Sequence, residues 1–98
     1  MVSILEEAIQ SQSRLSIQYT LGNRMIEPHT LGRGKDGQLL LRAYQVSGAS
    51  ASGEAEGWKL MRVARIGGEP SIEGSFASPR DGYKRGDSVM VGGIIAQL

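Results

Sequence analysis

Cysteine is absent from all 98 residues, so neither a disulfide nor a cysteine-ligated zinc can hold this chain together. Histidine occurs once, at His29, which leaves too few ligands for a metal site of the usual kinds. With no cysteine and one histidine, a nucleophile and its base are hard to assemble. No pair of acids has a spacing that singles it out for acid–base work. His29 follows Pro28 at a strand end and reads as a surface residue. The chain is therefore expected to be no enzyme and to need no cofactor or metal.

Long apolar runs are also missing. No segment approaches the about eighteen apolar residues that mark a membrane span. The opening MVSILEEAIQ has two acids where a secretory signal would carry a basic start, so a cytoplasmic chain with no membrane partner is expected. The net charge is only +1, which argues against coating nucleic acid by bulk electrostatics. Any anion site must come from local placement of charge.

What is present reads as one small domain, residues 1–98, with no break in composition. Residues 2–12 form the one persuasive helix. Ser3 is placed to cap it with Glu6 as capping-box partner, and Ile4, Leu5, Ala8 and Ile9 share a face. From Leu15 the period becomes two, with Leu15, Ile17, Tyr19 and Leu21 alternating against polar residues in a half-buried strand. Gly22-Asn23 is a turn signal, and residues 24–31 return as a second strand whose Pro28 demands an edge or a break. GRGKDG, residues 32–37, fits the glycine spacing of a dinucleotide loop. That loop must open a helix, whereas this one runs into strand-like Leu39–Tyr44, so Asp36-Gly37 reads as a hairpin turn.

Residues 38–46 are apolar on both faces, as in a covered sheet. SGASASGEAEG, residues 47–57, is a glycine-rich hairpin loop. Residues 58–66, WKLMRVARI, read as a fourth strand carrying Lys59, Arg62 and Arg65, and burying unpaired charge is costly. Residues 67–70 turn the chain, and residues 71–76 make a short fifth strand. ASPRDGYKRGDS, residues 77–88, is a basic loop in which Arg80, Lys84 and Arg85 are secondary candidates for anion contact. VMVGGIIAQL closes the chain as a last strand or as a surface for a second subunit. Helix 2–12, a barrel over about 14–76 and a loop and tail over 77–98 give a mainly β fold: a small, partly open five-stranded barrel behind an N-terminal helix.

Three pieces resemble the WYL domain, a bacterial ligand-sensing module with an Sm-like, SH3-type barrel core. Arg24-Met25-Ile26-Glu27-Pro28 with Leu31 looks like that family's arginine, proline and leucine. Leu39 to Tyr44 stands where its Trp-Tyr-Leu lies, with Leu39 and Leu40 replacing Trp and Tyr. Met61-Arg62-Val63-Ala64-Arg65-Ile66 looks like its Phe-Arg-Leu-Asp-Arg-Ile strand, with Ala64 replacing Asp. Phe76 and Gly82-Tyr83 fit its continuation. The resemblance covers about residues 8–83 and implies a regulatory binding module, used in transcription control, for a nucleotide or short single-stranded nucleic acid. Arg24, Arg62 and Arg65 are the implied anion ligands and Tyr44 the stacking partner. Guanidinium groups suit phosphate because they donate two parallel hydrogen bonds. No helix-turn-helix accompanies the barrel, so either the sensor works alone or a separate DNA-binding partner chain supplies the output. An assembly module, forming homo-oligomers through barrel edges and the apolar tail, is the alternative. Arg62 and Arg65 are three apart and share a site only if the strand bulges or ends between them.

Overall fold

The central element is a twelve-residue strand that changes partners halfway along its length. In the computed structural model, which describes residues 1–98, α1 (Val2–Gln10) precedes β1 (Ser13–Tyr19), β2 (Gly22–Arg33), β3 (Leu39–Gly48) and β4 (Gly57–Arg62). A single 3-10 turn, Val63–Arg65, leads into β5 (Gly67–Ser75), and β6 (Gly93–Gln97) ends the chain. The strands form one antiparallel sheet in the order β4-β3-β2-β1-β5, with β6 added to β2. The first half of β2 pairs β1 from Tyr19↔Gly22 to Leu15↔Ile26, and its second half pairs β6 from Thr30 to Arg33.

Pro28 lies in the gap between those two partners, where its missing N–H costs no ladder bond on that side. On the β3 side Pro28 faces Ala43 and Thr30 faces Arg42, so His29 is the extra residue of a β-bulge. The bulge corrects a parity problem. Ile26 and Leu31 are five apart and would face opposite sides of a regular strand, yet both are in the core. The strand does not break at Pro28 but continues through the bulge to Arg33.

The core gathers Leu15 and Ile17 of β1, Ile26 and Leu31 of β2, Leu41 and Ala43 of β3 and Met61 of β4. Leu5, Ala8 and Ile9 of α1 cover it, as the helical spacing requires. Mainly β structure with an N-terminal helix matches the expectation, and the tail adds a sixth strand. The helix is shorter than expected and ends at Gln10, since Gln12 has a φ of 53°. Ser3 does not cap it: Met1 is the cap position and no side chain caps there. The first hairpin turns through Thr20-Leu21, with Leu21 at φ 72° and exposed, rather than through Gly22-Asn23. Asp36-Gly37 does turn a hairpin, with Gly37 at φ 79° and its N–H donating to Gly34 O.

Two other expectations change. The fourth strand stops at Arg62, because Ile66 N–H bonds back to Val63 O in the 3-10 turn. Residues 67–70 are strand, not turn, and pair with β1 at Gln18↔Gly67. No helix is long and apolar enough to cross a membrane.

Leu31 is fully buried where β3 and β6 both flank β2. Leu31→Ala is expected to cost about 2–5 kcal/mol, read as a lowered urea midpoint with unchanged slope. A loss below about 1 kcal/mol would contradict the placement of the core.

Candidate anion site

Six of this chain's eleven cations lie in two contrasting kinds of surroundings. Three arginines are neutralised by carboxylates. Arg14 of β1 and Arg80 of the β5–β6 connection both grip Glu27 of β2, each with a shortest contact of 2.7 Å. Arg42 of β3 grips Asp87, also at 2.7 Å. Glu27 is wholly buried, and burial pushes its carboxyl up, but hydrogen bonds from Arg80 and Arg14 outweigh that and hold it below 4.5. A cleft of about 580 Å³ lies over this cluster. Arg14 and Arg80 there are balanced by Glu27 and Asp81, so its formal charge is zero.

The connection between β5 and β6 is pinned beside it. His29 lies between the two ends of a hydrogen-bonded path: Nε2 accepts the Arg80 backbone N–H at 3.1 Å, which leaves Nδ1–H to donate to Glu27 O at 2.8 Å. Acceptance at Nε2 requires the neutral ring, and burial lowers its pKa below 6.5. Trp58 meets the ring edge-on at 4.7 Å, and Phe76 and Tyr83 lie 5.3 Å and 5.2 Å away. Trp58 Nε1–H donates to Asp81 O and Tyr83 O–H to Leu98 O. His29 is thus buried, not a surface residue, because the bulge turns it under residues 76–83. Residues 77–88 are correspondingly not a free loop.

A second cleft, of about 270 Å³, has the opposite character. Arg24 enters from β2, Lys59 from β4 and Arg65 from the 3-10 turn, and no carboxylate lines it. Arg24 is only 4% exposed and has no ion-pair partner. Its guanidinium donates to Thr20 O at 2.8 Å and, weakly, to Gln45 Oε1 at 3.4 Å. It stacks over the Tyr19 ring at 4.8 Å, while Nε–H has no acceptor. Burying an ion without a counter-charge costs several kcal/mol, which two neutral acceptors and a ring face offset only in part. Lys59 Nζ donates to Ser50 Oγ, Ser52 Oγ and Glu54 O, all neutral acceptors on the β3–β4 loop. Buried Gln45 holds that loop by donating to Ala49 O and Ala55 O.

Of the residues singled out in the sequence, Arg24 and Arg65 are brought together in this cleft. Arg62 is not: the strand does end between the two arginines, but Arg62 stays exposed and contributes only its backbone N–H, to the Tyr19 hydroxyl. Tyr44 lies in the other cleft with Arg80 over its ring at 4.5 Å, and its hydroxyl donates to Glu56. That bond, ahead of desolvation, raises its pKa above 10.0. Arg80 is spent on Glu27, Arg85 donates to Leu98 O, and Lys84 lines a third cleft beside Asp87. Lys59, to which the resemblance assigns no role, belongs to the cationic cleft. Strand alternation puts it on the side of buried Met61, a signal legible in the sequence. Glu27, Arg14 and His29 carried no spacing signal at all. Comparison with protein-family models, curated proteins and solved structures gives no significant match.

Neutral His29 and ionised Glu27 shape the pH dependence of stability. The folded state depresses His29, so it binds fewer protons than the unfolded chain as pH falls below 6.5. Stability from this group is complete above 6.5 and is lost as pH falls through the folded-state value; Glu27 adds a loss of the same sign below 4.5. Urea midpoints measured from about pH 8 to about pH 5 are expected to fall, and His29→Gln is expected to flatten that fall. A midpoint in the parent chain that does not drop would contradict the neutral, buried ring. Glu27→Gln is expected to cost about 1.5–3 kcal/mol at neutral pH by the same measurement.

Proposed function

We propose that this chain is a ligand-binding regulatory module for a nucleotide or short single-stranded nucleic acid, held by its phosphate at Arg24, Lys59 and Arg65. The observation that carries this reading is the buried, uncompensated charge of Arg24. A cation kept from water without a carboxylate is costly unless an anion completes it, and two further unpaired cations stand beside it. Guanidinium and ammonium groups at one place are the usual means of holding phosphate.

The same reading takes the fold as an Sm-like, SH3-type barrel and the chain as a divergent WYL-like domain. An N-terminal helix, five antiparallel strands in the order β4-β3-β2-β1-β5 and a 3-10 turn between β4 and β5 support it.

A second reading, assembly through sheet edges, has one observation in its favour. β5 pairs only with β1, and Ile72 on it is 68% exposed. The tail favours it less, because Met90 and Ala96 are buried and β6 is already paired to β2. Light scattering that gives the monomer mass at high concentration would remove this reading.

Fluorescence anisotropy with a labelled short single strand at low salt tests the first. Arg65→Ala is expected to weaken binding about tenfold and to lower the salt slope by about 0.7, the share of one phosphate contact. Arg62→Ala is expected to change affinity less than about threefold. Unchanged binding in an Arg65→Ala/Lys59→Ala double variant would overturn the assignment.

A further inference from the structure

The cationic cleft has properties that narrow its ligand beyond phosphate in general. We infer that it recognises a terminal phosphoryl group, the phosphomonoester at the end of a nucleotide or strand, and leaves the base unread. The inference rests on the phosphate-binding reading above and adds which phosphate is taken.

Charge favours the monoester. Arg24, Lys59 and Arg65 bring three positive charges and no lining carboxylate. A phosphodiester carries one negative charge, whereas a phosphomonoester carries about 1.5 to 2 near neutral pH and offers three acceptor oxygens. The richer acceptor matches three donors that otherwise meet only neutral partners or none.

Size and depth point the same way. At about 270 Å³ the cleft lies just under the roughly 300–1,000 Å³ of sites that enclose whole small molecules. A phosphoryl group with its first ester carbon fits within such a space. Arg24 is the buried member, so an anion must reach inward to approach it. A terminal phosphoryl group is tethered by one ester arm, whereas an internal diester must lead two arms back out.

Stacking is also absent here. Tyr19 is the one aromatic side chain lining the cleft, its ring already carries the Arg24 guanidinium, and its hydroxyl accepts the Arg62 N–H. Tyr44 and Trp58, the rings suited to a base, line the charge-balanced cleft instead. Recognition at this site is therefore blind to base identity.

The test uses the full chain and one oligothymidylate made in three forms: 5′-phosphorylated, 3′-phosphorylated and with hydroxyls at both ends. At least one phosphorylated form is expected to bind about tenfold tighter than the unphosphorylated strand, with that advantage lost in Arg65→Ala and Lys59→Met. The four nucleoside 5′-monophosphates are expected to compete within about threefold of one another, and inorganic phosphate to compete more weakly. Equal affinity for all three strands, still dependent on Arg65, would overturn the terminal assignment and leave phosphate binding standing. Preference for a phosphorylated end that survives both substitutions would overturn this cleft as its location. No binding of any strand or monophosphate at low salt would overturn both readings.

Discussion

The carboxylate of Glu27 holds together parts of the chain that have no other reason to meet. It lies fully buried on the central strand, and two guanidinium groups reach it, one from the neighbouring β1 and one from 53 residues further along. Desolvating one carboxylate is affordable only because both oxygens are taken by charged donors. The consequence is structural. Arg80 is fixed in place, its backbone N–H meets His29, and residues 76–83 lie over the outer side of β2. That route delivers the chain to Asp87, where Arg42 takes it, and then to β6 beside β2.

Neutralisation on one side makes its lack on the other informative. Arg14, Arg42 and Arg80 have carboxylates within hydrogen-bond reach, whereas Arg24, nearly as buried as Glu27, has carbonyl and amide oxygens and an aromatic ring. Arg24 and Glu27 lie three residues apart on the same strand, so the contrast reflects placement of acids and not overall charge. A domain with a net charge of +1 can still hold a local cluster of three cations where no carboxylate lines the cleft. Gln45 links this site to the β3–β4 loop, since one buried amide holds Arg24 and two loop carbonyls. Arg24 and that loop are therefore joined through a single side chain.

Much of the fold was legible from period and turn chemistry. The helical face of Leu5, Ala8 and Ile9, the alternation of Leu15 and Ile17, and the Asp36-Gly37 hairpin all depend on neighbours close in sequence. Where local rules failed, a longer-range force had intervened. The strand expected to run through Ile66 stops at Arg62 because Val63 and Ile66 are drawn into the core by a 3-10 turn. His29 looked like a surface residue because a bulge and a distant loop, not its neighbours, bury it.

For the site, the family resemblance singled out Arg24, Arg62 and Arg65, of which only Arg24 and Arg65 share a cleft, and strand alternation would have added Lys59. Alternation is a property of a strand, written in one or two residues of context. Which cations are left unpaired is a different matter. That depends on Glu27 meeting Arg80 and Asp87 meeting Arg42 across 53 and 45 residues, and on Tyr44 being carried to the far cleft. The sequence determined the helix, the strand periods and the supply of charge, because each rests on local geometry. Only the tertiary structure decided which charges cancel, because Coulomb pairing at a few ångströms is set by where the chain returns and not by what it contains.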